Sequence, residues 1–323
     1  MAINFFKREK EERTFLAVEK LNLLYNLLTT LLIIILYPRL HNPQEMLMGR
    51  FLIVFGTFAA IYIYTLFPSR ATRFLRLLGQ MALLSYWYPD TFEFNRIFPN
   101  LDHLFATAEY TLFACQPAQL FDQACNHTLW REAFNMGYWA YYPMIVTITL
   151  WYFFKKENEN ERCTFIIMAA FFIYYFIYIF VPVAGPQFYF PVIGDANAAA
   201  GIYPEIGNWF DLNPEIAIPQ AGKSGLFTNL VNAAQASGER PTAAFPSSHI
   251  GISTIIMLLA FRAKRGLALT LAPFYILLCC ATVYIKAHYL IDGIAGVTSG
   301  VVLYLLAAYI YKKTGCRKND NPS

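Results

Sequence analysis

Phe245-Pro246-Ser247-Ser248-His249-Ile250-Gly251 and Thr282-Val283-Tyr284-Ile285-Lys286-Ala287-His288-Tyr289-Leu290-Ile291-Asp292 decide how this chain is read. The first opens an apolar run over 245–261, and the second joins the apolar runs 267–285 and 289–311. An ionisable group within a membrane-spanning helix costs about 2.5–3.5 kcal/mol on insertion scales, so such groups point to function before packing. His249, His288 and Asp292 stand at the ends of those runs, where a polar site can be built at one membrane level.

Working outward, the 323 residues are 57% apolar and 17% aromatic but only 14% charged. Soluble domains average about 45–50% apolar and about 25% charged. Runs approaching the roughly 20 apolar residues that cross a bilayer recur along the whole chain. Eight are read: 21–37, 47–67, 74–88, 138–154, 163–183, 245–261, 267–285 and 289–311. The third is the shortest in apolar content, carries Arg76 and Gln80, and is open to reading as a re-entrant or interfacial helix. The expected fold class is an all-α integral membrane protein, a bundle of about eight transmembrane helices.

Charge orients this bundle. With eight spans and the N-terminus in the cytoplasm, eighteen of the 25 basic residues fall on the cytoplasmic side and seven on the other. The short loops 68–73, 155–162 and 262–266 carry the bias, which is the asymmetry the positive-inside rule reads. The net charge of +4 therefore reports orientation, not nucleic-acid binding. No cleavable signal peptide is read at the start, because a charged stretch of about twenty residues precedes the first run and no small-residue cleavage site follows it. The expected location is the plasma membrane (the inner membrane in a bacterium), multi-pass, with the site on the extracytoplasmic side.

Two long outer segments remain, 89–137 and 184–244. The first is read as short interfacial helices. The second is rich in Pro, Gly, Asn and Ala, has a weak helical period over 226–235, and runs straight into Pro246. Long loops in compact proteins are usually functional or disordered linkers; because this one runs straight into Pro246, a lid or headgroup-recognition role is expected over a linker. Cys115 and Cys125 share the first segment and are compatible with either a disulfide or two thiols; no cysteine has metal-ligand spacing, and no metal or cofactor is expected. His41, His103 and His127 read as ordinary loop residues.

The site residues suggest anion chemistry. Pro246 suits a first helical turn and Ser247 or Ser248 an N-cap, and a helix N-terminus with free amides favours phosphate. His288 and Asp292 are spaced i, i+4, so on a helix the carboxylate reaches the imidazole and fixes its tautomer. Phosphoryl transfer also needs positive charge around the equatorial oxygens; the outer-side candidates are Arg240, Lys286 and Lys223, with Lys223 read by default as a solvated surface charge.

These two pieces resemble the signature of the type 2 phosphatidic acid phosphatase superfamily. Pro246-Ser247-Ser248-His249 matches its Pro-Ser-Gly-His element, with serine for glycine, and His288 and Asp292 match the end of its Ser-Arg-x5-His-x3-Asp element. Ala281-Thr282 stand where Ser-Arg is expected, and Arg240-Pro241 follows Ala233 where a lysine is expected. The Phe-Pro-Ser-x-His-x-Gly and Thr-x-Tyr-x3-His-Tyr-x2-Asp forms are similar to the inositol phosphorylceramide synthase branch. The resemblance covers about 138–311 and implies a catalytic membrane core there, preceded by N-terminal membrane helices and an outer loop over 1–137 and followed by a cytoplasmic tail over 312–323. It implies a lipid-phosphate phosphatase or phosphotransferase: His288 the nucleophile that forms a phosphohistidine, His249 the general acid and then base. Ser247, Ser248, Arg240 and Lys286, read from the helix start and the outer-side charges, are expected on the phosphate. Its partners would be a lipid phosphate, a lipid alcohol as possible acceptor and the surrounding membrane lipids. The competing expectation is a transporter or scaffold using His249, His288 and Asp292 as a proton relay or structural network.

Overall fold

The computed structural model describes residue 8, residues 15–214, residue 216 and residues 225–314. Lys223, Cys316, the tail from 315 onward and the basic residues Lys7, Lys10 and Arg13 lie outside the described residues. Among the described residues, apart from one bridge between Arg8 and Ser69, the regular structure is entirely helical.

The chain opens with α1 (Ala17–Leu36) and α2 (Pro43–Leu66), followed by α3 (Arg70–Ala82) and α4 (Leu84–Asn95). The first outer segment folds as α5 (Asp102–Phe113), α6 (Pro117–Ala124) and α7 (Thr128–Trp139), which leads into α8 (Tyr141–Lys155) and α9 (Asn160–Phe180). The second outer segment holds α10 (Pro186–Ile193), α11 (Asp195–Ala199), α12 (Trp209–Leu212) and α13 (Leu226–Gly238). Three helices close the bundle: α14 (Ser248–Ala263), α15 (Arg265–Tyr284) and α16 (Leu290–Thr314).

Among the described residues, five helices are long and apolar enough to cross a membrane: α1, α2, α9, α15 and α16. The three other segments read as spans from sequence are helical but shorter or broken. The run 74–88 divides at Leu83 between α3 and α4; 138–154 crosses the junction at Ala140; α14 has 16 residues. The polar residues of α3 explain why its apolar signal is weak. Arg76 forms a buried two-pronged pair with Glu19 of α1 at 2.8 and 2.6 Å, and Asn22 of α1 donates to Gln80 at 2.6 Å. Thus α3 turns a polar edge to α1, where each buried charge has a partner.

Helix α9 is the axis of the bundle. It is apolar on nearly every side and mostly buried, as expected of a helix surrounded by others. Helix α14 packs between α9, α15 and α16, and glycines set how closely. A Cβ added at Gly296 would lie 2.7 Å from the Ser247 carbonyl oxygen, and one at Gly300 would lie 2.6 Å from that of Gly251. Gly296-x3-Gly300 thus lets the backbones of α14 and α16 touch, the small-residue solution by which membrane helices pack. That contact draws the start of α14 to the start of α16, and with them the two histidines.

Candidate active site

His249 is the second residue of α14, and His288 lies in the turn between α15 and α16. Their rings face each other, with His288 Nε2 3.5 Å from His249 Nδ1. The two sequence pieces therefore meet at one end of the bundle. Ser247 caps α14, its hydroxyl accepting from the Ile250 amide at 3.4 Å, and its own amide donates to the Asp292 carbonyl at 3.1 Å. Tyr178 of α9 braces the same turn: its hydroxyl donates to the Pro246 carbonyl at 2.7 Å and accepts from the Ser248 amide at 3.0 Å. His249 is flanked by the rings of Tyr138 and Tyr141, at centroid distances of 4.8 and 4.6 Å.

His288 Nδ1 is 2.8 Å from the Ala244 carbonyl oxygen. A carbonyl only accepts, so Nδ1 carries the proton and Nε2 keeps its lone pair. The nitrogen facing His249 is then the nucleophilic one, and the long contact between the rings has His249 Nδ1–H donating. Burial holds the His288 imidazole below its usual range, with the Ala244 contact and Glu239 opposing that shift. The ring is neutral at physiological pH, as a nucleophile must be.

The spacing of His288 and Asp292 suggested a hydrogen bond along one helix face; the structure corrects this. Helix α16 begins only at Leu290, so His288 is not on it, and Lys286 just before has φ of 64°. Asp292 Oδ2 instead accepts from the Tyr289 amide at 2.8 Å, the reach-back bond of a capping box, and lies 3.8 Å from His288 Nδ1. At that distance it makes no hydrogen bond to the ring, and tautomer control passes to Ala244.

The two described candidate phosphate-binding cations differ in their surroundings. Lys286 Nζ pairs with Asp122 of α6 at 3.1 Å. Arg240 is exposed and makes no ion pair among the described residues. The charge near the rings is acidic. Glu239, passed over in the sequence, accepts from Gln187 Nε2 at 3.2 Å and from the Tyr138 hydroxyl at 3.4 Å. Burial raises its carboxyl above the usual range, while Gln187 and His288 pull it down. Its only sequence signal was an acid next to Arg240 in the segment leading into Pro246.

A cavity of about 550 Å³ reaches this site, within the roughly 300–1,000 Å³ of ligand pockets. His249, Ser248, Gln235 and Glu239 form a polar stretch of its wall. Most of the remainder is apolar, from Leu78 and Met81 of α3, Ile145 of α8 and Phe171 of α9. His288 is not in the lining, so the cavity approaches the pair from the His249 side. Cys115 and Cys125 carry free thiols. No cluster of His, Cys, Asp and Glu able to hold a metal occurs among the described residues.

Among family models, that of the PAP2 superfamily matches residues 112–306, more than half of the chain, with His249, His288 and Asp292 inside the match. No curated protein and no solved structure matches.

Proposed function

The chain belongs to the PAP2 superfamily, and from that premise we propose that it moves the phosphoryl group of a membrane lipid phosphate through a phosphohistidine at His288. The observation that carries this reading is the facing histidine pair: His288 Nε2, bare because Nδ1–H is held by Ala244, points at His249 beside an apolar chamber. In the first step His249 enters as the imidazolium, its second proton taken up with the anionic substrate; His288 Nε2 attacks phosphorus, the bond from phosphorus to the lipid oxygen breaks, and His249 gives that oxygen its proton and becomes neutral. In the second, His249 takes the proton of an incoming hydroxyl, whose oxygen bonds to phosphorus as the P–N bond breaks.

The acidic surroundings fit the charge that develops. A phosphorylated imidazole that keeps its Nδ1 proton is cationic, and Asp292 at 3.8 Å with Glu239 nearby offers it compensation. Arg240, exposed and one residue from Glu239, is proposed to meet the phosphate together with the α14 terminus at Ser247 and Ser248. Lys286 is held by Asp122 and is the weaker candidate.

The chamber favours an amphiphile with its oxygen at His249 and its chain among α3, α8 and α9. That is the shape of a lipid alcohol, either the leaving group of the first step or the acceptor of the second. A lipid acceptor corresponds to the inositol phosphorylceramide synthase-like reading, and water to a phosphatase. We place the site at the extracytoplasmic surface of the plasma membrane, on the basic-residue asymmetry. The test is purified protein given a panel of lipid phosphates, with and without ceramide or diacylglycerol, scoring phosphate release and new phospholipid together. Phosphate release indifferent to the added alcohol rules out the transferase. Substrate movement without phosphate release, insensitive to vanadate, would favour a transporter instead.

A further inference from the structure

Helix α5 lies before the matched region except for its last residues. It presents Asp102, Ala106 and Glu109, spaced i, i+4, i+7, to one face, and all three are fully buried. Carboxylates are almost never fully buried unless partnered, and both of these are directed at the chain around His288. Asp102 Oδ1 accepts from the Tyr289 hydroxyl at 3.0 Å and the Gly185 amide at 2.8 Å. Its Oδ2 accepts from the Ala184 amide and from Asn100 Nδ2, both at 2.6 Å.

Those bonds lead to the nucleophile from two sides. Tyr289 is its neighbour in sequence. Ala184 follows Val183, whose carbonyl accepts from the Ala244 amide at 2.9 Å, and Ala244 supplies the carbonyl that holds His288 Nδ1. Gly185 lies so near that a Cβ there would sit 2.6 Å from the Ala287 carbonyl oxygen. Glu109 acts two turns further along α5, its Oε2 accepting from the Ile291 amide at 3.0 Å at the start of the helix that carries Asp292. A capping role alone would need neither this burial nor a second carboxylate fastened to both walls of the His288 turn.

We propose that Asp102 and Glu109 are positioning residues for the reaction: Asp102 holds the Ala244 carbonyl and Tyr289 so that His288 keeps its Nδ1–H tautomer, and Glu109 holds the start of α16 so that Asp292 stays beside the ring. The inference rests on His288 being the nucleophile. It assigns to a helix outside the family region the tautomer control that the His–Asp spacing seemed to offer. Neither carboxylate touches substrate.

Two readouts on the full chain in detergent test it. In kinetics with a lipid phosphate, Tyr289→Phe removes a single O–H donor and should lower kcat about tenfold with KM little changed. Asp102→Asn should lower kcat about 10²-fold, the effect of a misplacement of about 1 Å. The double variant should be no worse than Asp102→Asn, since both break one connection. Independently of turnover, the chain has only five histidines, so ¹⁵N-histidine spectra can assign His288 by its loss in His288→Ala. Wild type should show a single Nδ1–H tautomer and both variants a mixture; if Asp102→Asn does not fold, Tyr289→Phe decides alone. A tautomer mixture in both variants, with a wild type inert towards every lipid phosphate, would sink the enzymatic reading and leave only the hold of Asp102 on the His288 ring. Unchanged kcat and unchanged tautomer in Tyr289→Phe and Asp102→Asn would overturn the inference, as would a rise in KM with kcat intact.

Discussion

Gly296→Ala is the smallest change that should disable the site without touching it. The new Cβ would lie 2.7 Å from the Ser247 carbonyl oxygen, 3.1 Å from Ile250 Cβ and 3.2 Å from Ser247 Cβ. Carbon–oxygen contacts in proteins settle near about 3.3–3.6 Å, so the helices must part by at least about half an ångström. The obstructing oxygen belongs to the backbone, so no rotamer change relieves it. Ser247 is two residues from His249, and Gly296 is one turn beyond Asp292, so the separation acts directly on the 3.5 Å gap between the imidazoles. If about 1 Å of misplacement loses about 10²-fold, kcat should fall about tenfold, and overpacking should cost about 1–3 kcal/mol of stability. Gly56→Ala is the control, because nothing lies within 4 Å of its added Cβ. Phosphate release and thermal unfolding in detergent would be measured for both. Wild-type kcat and unfolding temperature in Gly296→Ala would refute the claim that close backbone contact sets the histidine geometry.

Three further outcomes are expected. Met81→Trp should fill the chamber and lower kcat/KM for a long-chain lipid phosphate while sparing a short, water-soluble one; equal effects on both would separate the chamber from substrate binding. Arg240→Ala should weaken substrate and vanadate binding together, whereas Lys286→Ala, which releases a lysine already paired with Asp122, should do little; the reverse order would move the phosphate site to α6. Burial raises the Glu109 carboxyl from 4.5 to about 7, opposed by the Ile291 amide. The folded state then holds more protons than the unfolded one between those values, so this residue's contribution to stability falls as pH rises through that window. Glu109→Gln, which keeps an acceptor for Ile291, should flatten that part of the stability profile; identical slopes in both proteins would contradict the assignment.

Much of this architecture was legible because apolar runs and their punctuation are strong local signals. The runs read from sequence fall on helices, the weak period over 226–235 became α13, and Ser247 did cap a helix, with Pro246 preceding the cap and not entering the first turn. How many of the helices cross the bilayer was less legible. Arg76 and Gln80 are satisfied by α1, and the break at Leu83 and the shortness of α14 depend on tertiary contacts that a hydropathy window cannot register. At the site, the convergence of His249 and His288 could be anticipated from their places at the ends of apolar runs. The partner of His288 Nδ1 could not, because a main-chain carbonyl such as Ala244 leaves no mark in sequence. The i, i+4 spacing misled because the left-handed turn at Lys286 delays α16 until Leu290. Asp102 and Glu109 did carry a signal, two acids and a small residue on one helical face, hidden in a stretch that otherwise reads as an outer loop. Gly296-x3-Gly300 was equally visible and is what brings the two motifs together.

The central claim is a phosphoryl group carried on His288. The most direct measurement is to mix purified protein with a lipid phosphate labelled in its phosphorus, quench within the first turnover, and test whether label stays on the protein with the alkali-stable, acid-labile behaviour of phosphohistidine. Wild type should show it transiently, His249→Ala should accumulate it with a substrate whose leaving group needs no proton, and His288→Ala should show none. Label that persists in His288→Ala, or turnover by wild type with no labelled protein at any time, would contradict the account.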